Sequence, residues 1–182
     1  MQLINTKEAL QRFAKHVVSQ SRANLTRGKK NVSKTLWNSI EGNVKVSPNS
    51  FSLKLLMEDY GVFQDRGVKG IKKGTSLGSF DGKKASFSYK SKGGKRGLKG
   101  MPPPKAFDKW NIIRGRAERD ERGRFLTRKQ LNFKTARNVF YYGIKPSLFF
   151  TKPFKSAFKN LPEELIEAYG LDIDEFLKFT TK

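Results

Sequence analysis

Cysteine is absent from the 182 residues, which excludes a disulfide framework, a thiolate metal site and a cysteine nucleophile. A reducing, intracellular place of synthesis fits that absence. Histidine occurs once, at His16, beside the apolar stripe of a helical segment, so metal binding lacks its usual companions. Nowhere do 18 apolar residues follow one another, and Lys7 and Arg12 near the start precede no apolar run. The pattern therefore predicts neither a membrane span nor a standard secretion signal. No repeat of 20–50 residues is evident. Acidic residues are also scarce, 16 Asp and Glu against 38 Lys and Arg, for a net charge of +22.

That charge is concentrated. Residues 66–137 hold 22 basic and 5 acidic side chains, so they carry +17 of the total, and the other 110 residues carry +5. Such asymmetry speaks to solubility and partners, not to fold. Apolar content is low at 36%, yet 15 Phe, 5 Tyr and 2 Trp bring enough area per residue to close a core. The length suits one domain with a decoration.

Asn5 and Glu8 have the spacing of a capping pair, and Leu10, Phe13, Ala14, Val17, Val18, Ser21 and Leu25 recur at helical spacing. A helix over 6–26, about 31 Å long, follows. Ser33 starts a short second helix through Leu36, Trp37 and Ile40, with Gly42 as its stop. The alternation of 43–46 and of Phe51, Leu53 and Leu55 around Pro48-Asn49-Ser50 predicts a β-hairpin. Tyr60 and Phe63 share one face of a further short helix.

Composition then changes. Residues 67–100 contain nine of the sixteen glycines together with Lys72, Lys73, Lys83, Lys84, Lys90, Lys92, Lys95, Arg96 and Lys99. This segment predicts a long basic arm, spanning roughly 30–35 Å as a flexible coil, with a weak hairpin around Asp81-Gly82. Pro102-Pro103-Pro104 closes it, and Ala106, Phe107, Trp110 and Ile113 mark a helix. A charged connector between Gly115 and Gly123 precedes a helix from Arg128 to Gly143, and Phe154, Ala157, Phe158 and Leu161 mark another. Pro162, Glu163 and Glu164 open a C-terminal helix, and residues 162–177 hold six acids and no Lys or Arg.

Chemistry has little support in these residues. Glu58/Asp59 and Glu163/Glu164 admit a general-base pair, but at loop and helix-start positions such acids more often cap. The run Gly93-Gly94-Lys95-Arg96-Gly97 lacks the order of a phosphate-binding loop. The sequence predicts no enzyme, no catalytic residue, no metal site and no cofactor.

Two motifs carry a resemblance. Asp59-Tyr60-Gly61-Val62-Phe63-Gln64-Asp65-Arg66-Gly67 is similar to a tyrosine- and glycine-containing motif of the tail-completion or neck proteins of tailed bacteriophages. Ala136-Arg137-Asn138-Val139-Phe140-Tyr141-Tyr142-Gly143-Ile144-Lys145-Pro146-Ser147-Leu148-Phe149-Phe150 resembles a second, and Lys152-Pro153-Phe154 extends it. The resemblance covers roughly 5–66 and 100–162. It departs from the family at Gly61, at Gln64-Asp65 and in the charge of the arm. It implies an α+β fold with a long N-terminal helix packed on a small antiparallel sheet, further short helices and a long basic insertion arm. The segmentation is then a connector-like core at 1–66 and 101–161, an arm at 67–100 and an acidic C-terminal helical segment at 162–182.

The implied role is a virion protein forming a homo-oligomeric ring in the neck, between the portal or adaptor and the tail, sealing or extending the DNA channel. Tyr60, Phe63, Phe149, Phe150 and Phe154 are the candidate subunit contacts, with filling of the domain's own core as the plain alternative. The nine basic residues of the arm face packaged double-stranded DNA, a neighbouring subunit or solvent. A second reading is a nucleic-acid-binding module, its Lys and Arg interleaved with Phe80, Phe87, Tyr89, Phe107 and Trp110.

Overall fold

A long amphipathic helix with a hairpin beside it dominates the first third of the chain. The computed structural model describes residues 3–28, 32–47, 50–72, 79–80, 83–93 and 98–180. Helix α1 spans Ile4–Arg27 and α2 Thr35–Ser39. Strands β1 (Glu41–Ser47) and β2 (Ser50–Leu56) form an antiparallel hairpin, then α3 runs Tyr60–Arg66. Four two-residue strands follow: β3 (Val68–Lys69), β4 (Ser79–Phe80), β5 (Lys83–Lys84) and β6 (Phe87–Ser88). A 3-10 turn at Pro104–Phe107 leads into α4 (Asp108–Ile113). Helix α5 (Arg128–Tyr142), strand β7 (Gly143–Ile144), α6 (Thr151–Phe158) and α7 (Leu161–Thr180) complete the order. The fold is α+β, as the sequence predicts.

The chain divides into two compact units. One comprises Met1–Lys30, Thr35–Glu58 and Phe149–Lys182, and the other Asn31–Lys34 and Asp59–Leu148. In the first, α1 is the spine, with Leu10, Phe13, Ala14, Val17 and Leu25 buried along one stripe. Leu25 meets Leu36, Ile40 and Phe149, and Phe13 and Val17 meet Leu161, with Phe150 packed against both clusters. A lone two-stranded hairpin is marginal in water. Here Leu53 and Leu55, on the face shared with Val44 and Gly42, pack against the Phe13 cluster. Gly42, expected as a helix stop, instead lies in β1, where a Cβ would come within 2.9 Å of Ala14 Cβ. Its bare backbone lets the strand lie directly on α1.

The start of α1 corrects the expected Asn5/Glu8 cap. The helix begins earlier, at Ile4, with Leu3 as the capping residue and no side-chain cap from its own chain segment, and Glu8 is exposed. The open N–H groups are satisfied from α7 instead. Asp172, 1% exposed, accepts from Asn5 N at 2.9 Å, Asn5 Nδ2 at 3.0 Å, Thr6 N at 2.9 Å and Thr6 Oγ1 at 2.7 Å. A carboxylate at the positive end of a 24-residue helix also complements its dipole. Burial alone would raise the Asp172 pKa, but the hydrogen bonds from Thr6 and Asn5 outweigh it and hold the carboxyl below its ordinary value.

Asp172→Ala leaves buried donors without a partner and is expected to cost about 2–3 kcal/mol in denaturant unfolding at pH 7. Because the folded pKa is depressed, the carboxylate's contribution is complete above the ordinary value of 3.8 and fades as pH falls through the lower folded value. Asp172→Asn is therefore expected to lose most of its difference from the parent chain below about pH 4, read by thermal melts across pH.

Candidate functional site

The first motif and residues 136–148 of the second, far apart in sequence, lie side by side in the second unit. Helix α3 ends at Gly67, and its last carbonyls, which lack partners within the helix, are met by the segment after β7. Ser147 N donates to Gln64 O at 3.1 Å, Ser147 Oγ to the same oxygen at 2.6 Å, and Leu148 N to Asp65 O at 2.9 Å. The chain then runs antiparallel to the second motif, with Val68 opposite Ile144 and Lys69 opposite Gly143. Ile71 N and Lys72 N go on to donate to Phe140 O and Tyr141 O, each at 3.1 Å.

Glycine is what permits this approach. A Cβ on Gly143, at φ 86°, would sit 2.1 Å from Val68 O, and one on Gly70 would sit 2.1 Å from Tyr141 O. Neither distance is physically possible without moving backbone. The first motif's own Gly67, at φ 73°, meets the second motif in the same way, since a Cβ there would sit 2.7 Å from Ile144 O, and sequence spacing flagged the motif glycines without showing this approach.

The same sheet pins the arm. Strand β6 pairs parallel with β3, Ser86 N donates to Arg66 O at 3.3 Å, and Tyr89 N donates to Lys69 O at 2.8 Å. Phe87 meets the Phe63 ring edge-to-face at 4.8 Å, and Tyr89 meets Phe140 at 5.7 Å. Burial raises the Tyr89 pKa. Further on, Lys92 N donates to Lys99 O at 2.8 Å and Lys99 N to Gly93 O at 3.0 Å. In its described parts the arm is thus tied down at several points, not a free coil. Non-local partners, invisible to local composition, account for the difference. The expected hairpin exists as β4 paired with β5, while the Asp81-Gly82 turn lies outside the described residues.

Of the nine arm cations, Lys72, Lys90, Lys92 and Lys99 are exposed, and Lys72 Nζ stands 5.3 Å from the Tyr142 ring centroid. Lys83 and Lys84 lie on β5 with side chains outside the described set, as do Lys73, Lys95 and Arg96 altogether. Among the candidate contacts, Tyr60 and Phe63 are exposed. Phe149 is 1% exposed and belongs to its own chain's core, the alternative the sequence left open. Phe150 and Phe154 are half-buried and stack at 5.8 Å, and Phe154 stacks in turn on the exposed Phe158 at 5.6 Å. His16, Glu58, Asp59, Glu163 and Glu164 are all exposed.

Helices α4 and α5 are joined by a polar chain the sequence did not announce. Arg128 donates through Nε and Nη2 to both oxygens of Asp108, and Asn132 Nδ2 donates to Asp108 Oδ1 at 2.8 Å. Asn111 Nδ2 donates to Asn132 Oδ1 at 2.8 Å, and Thr135 Oγ1 to Asn111 Oδ1 at 3.2 Å. Arg128 first, then Asn132, holds the Asp108 carboxyl below its ordinary range, and Lys134 does the same for Glu118. Basic residues around this frame stack on aromatics: Arg114 and Arg116 lie over Trp110, and Arg119 lies 4.1 Å over Phe125.

A further feature escaped the sequence reading. Helix α7 exposes a second apolar stripe, with Ile166 75% and Tyr169 43% exposed. The signal was present, since 166, 169 and 173 share a helix face, but the acids between them dominated the reading. Among the described residues no helix is long and apolar enough to cross a membrane.

Gly143→Ala is expected to destabilise the chain by at least about 2–3 kcal/mol in urea titration, because strained backbone and a backbone clash coincide there. The control Gly123→Ala, at φ 76° with open space around its Cβ position, isolates the conformational part. With this geometry in place, no family model, no curated protein and no solved structure matches the chain.

Proposed function

We infer that the chain is a structural subunit of a bacteriophage neck, joining copies of itself into a ring between portal and tail around the DNA channel. The observation that carries this reading is the interlock of the two resemblance motifs. Gln64, Asp65 and Gly67 of the first motif meet residues 144–148 of the second through backbone hydrogen bonds and a glycine-only approach, and the pairing continues past the motif over residues 68–72. Motifs matched in order along a sequence are weak singly, but two motifs that complete each other's hydrogen bonding behave as one structural unit. A second support is apolar surface: Phe51 and Leu56 on the hairpin, Phe158, and Ile166 and Tyr169 on α7 stand exposed on a chain of +22. Large apolar side chains left in water in such numbers fit surfaces that assembly covers. The net positive charge suits a wall around packaged DNA.

For the alternative, a nucleic-acid binder that stacks bases on its aromatics, three of the five named platforms are already engaged, while Phe107 is half-buried and the side chain of Phe80 lies outside the described residues. Phe87 is packed on Phe63, Tyr89 on Phe140, and Trp110 carries Arg114 and Arg116. Those three rings favour phosphate contact over base stacking.

Particle proteomics with light scattering of the purified chain tests the main reading. The expected result is a virion component that forms closed oligomers alone or on a portal template; a monomer absent from purified particles would refute it. Duplex DNA affinity measured across salt separates the alternative. Neutralising about six phosphates predicts a fall of about 10³-fold between 50 and 200 mM salt, whereas a purely structural subunit is expected to bind weakly throughout.

A further inference from the structure

One side of α1 is left open. Between α1 and β1 lies a solvent-exposed groove of about 1350 Å³, whose apolar lining includes Ala14, Val18, Ala23, Trp37 and Ile40. Its rim is basic. Lys15, Arg22 and Arg27 line it against a single acid, Glu41. Arg22 is fixed there: Nε donates to Trp37 O and Nη2 to Ile40 O, both at 3.0 Å, and the guanidinium lies 4.5 Å over the Trp37 ring. Both acceptors are neutral carbonyls, so they orient the cation without cancelling its charge.

Helix α7 carries the complementary surface. Its Leu161, Ala168 and Asp172 are buried within its own unit. At 100° per residue, Ile166, Tyr169 and Ile173 form a separate stripe about a third of a turn away, and Glu163, Glu167 and Asp174 lie beyond it. Ile166 is the most exposed of the three at 75%, and the three acids are exposed as well. In a chain of +22 this helix is the one acidic segment, with six acids and no base over 162–177.

We propose that the acid-flanked apolar stripe of α7 from one copy seats in the basic-rimmed α1–β1 groove of the next. The inference rests on the ring reading above and specifies its contact. Stripe and groove are different surfaces of one chain, so the pairing is heterologous: each copy offers one of each, and repetition about an axis closes a ring. The apolar stripe supplies burial, and the acids facing Lys15 and Arg27 fix direction and register more than affinity. A second copy is favoured over a nucleic acid as occupant because the basic rim would attract either, whereas the apolar lining between the cations gains from burying an apolar helix stripe and gains nothing from a phosphate backbone.

The absence of cysteine provides a clean test. Full-length chain carrying both Ala23→Cys and Ile166→Cys, oxidised under assembly conditions, is expected to give a disulfide ladder of three copies and more. Either single-cysteine chain is expected to stop at dimer. If the double-cysteine chain forms rings by electron microscopy yet gives no ladder, this contact is overturned and the neck reading stands. If the chain neither oligomerises nor enters particles, the neck reading falls first. Should position 166 cross-link in particles only to a different virion protein, the occupant is not a second copy and the proposal fails.

Charge reversal provides an independent check on chains whose melting is unchanged. Glu167→Lys with Asp174→Lys is expected to weaken self-association at least tenfold at 50 mM salt, and adding Lys15→Glu with Arg27→Glu is expected to restore it. Absence of that rescue, with each pair of changes damaging alone, would also overturn the contact.

Discussion

The first unit depends on covering one stripe of α1. A helix of 24 residues with Phe13, Val17 and Leu25 along one side has no stable existence in water until that side is buried. The hairpin, α6 and α7 each supply part of the cover, and each would be marginal without α1 in return. Asp172 ties this hydrophobic arrangement to a polar one. By holding the first N–H groups of α1 from a point 166 residues later, it makes the start of the first helix conditional on the docking of the last.

The second unit is organised by backbone. Its three-stranded sheet consists of two-residue strands, too short to persist on hydrogen bonding alone. Their stability comes from close approach, which Gly70 and Gly143 allow, and from aromatic pairs that flank the sheet, Phe63 with Phe87 and Tyr89 with Phe140. The α4–α5 frame adds a polar chain in which Asn111, Asn132 and Thr135 are buried yet each has a partner. A network satisfied in this way fixes a unique arrangement, since any slip would leave an amide unpaired. Basic residues then project from a rigid frame instead of from a loose coil.

Charge acquires meaning only on this scaffold. Exposed ion pairs such as Arg124 with Asp120 contribute about 0–1 kcal/mol each and do not hold the fold. The larger consequence is segregation along the chain: residues 66–137 carry +17, whereas 162–177 hold six acids and no base.

Much of the element order was legible in the sequence because it rests on local periodicity. The apolar spacing of 10–25, the alternation about Pro48-Asn49-Ser50, the helix from Arg128 stopping at Gly143, and Pro162 with its acids all report nearest-neighbour geometry, and helices and hairpin fell where they indicate. The Asn5 cap was misread because the true partner, Asp172, is remote in sequence. The arm was read as a coil because its anchors, Gly143, Ile144 and Phe140, lie more than fifty residues downstream. Phe149 and Phe154 could not be told apart, since composition does not say which aromatic a core will enclose. By itself the sequence determined the helices, the hairpin, the cysteine-free chemistry and the separation of charge, all properties of composition or short period. Only the tertiary structure decided which glycines meet, which carboxylate caps α1 and which stripe of α7 remains in water, because those depend on contacts between residues that local spacing does not relate.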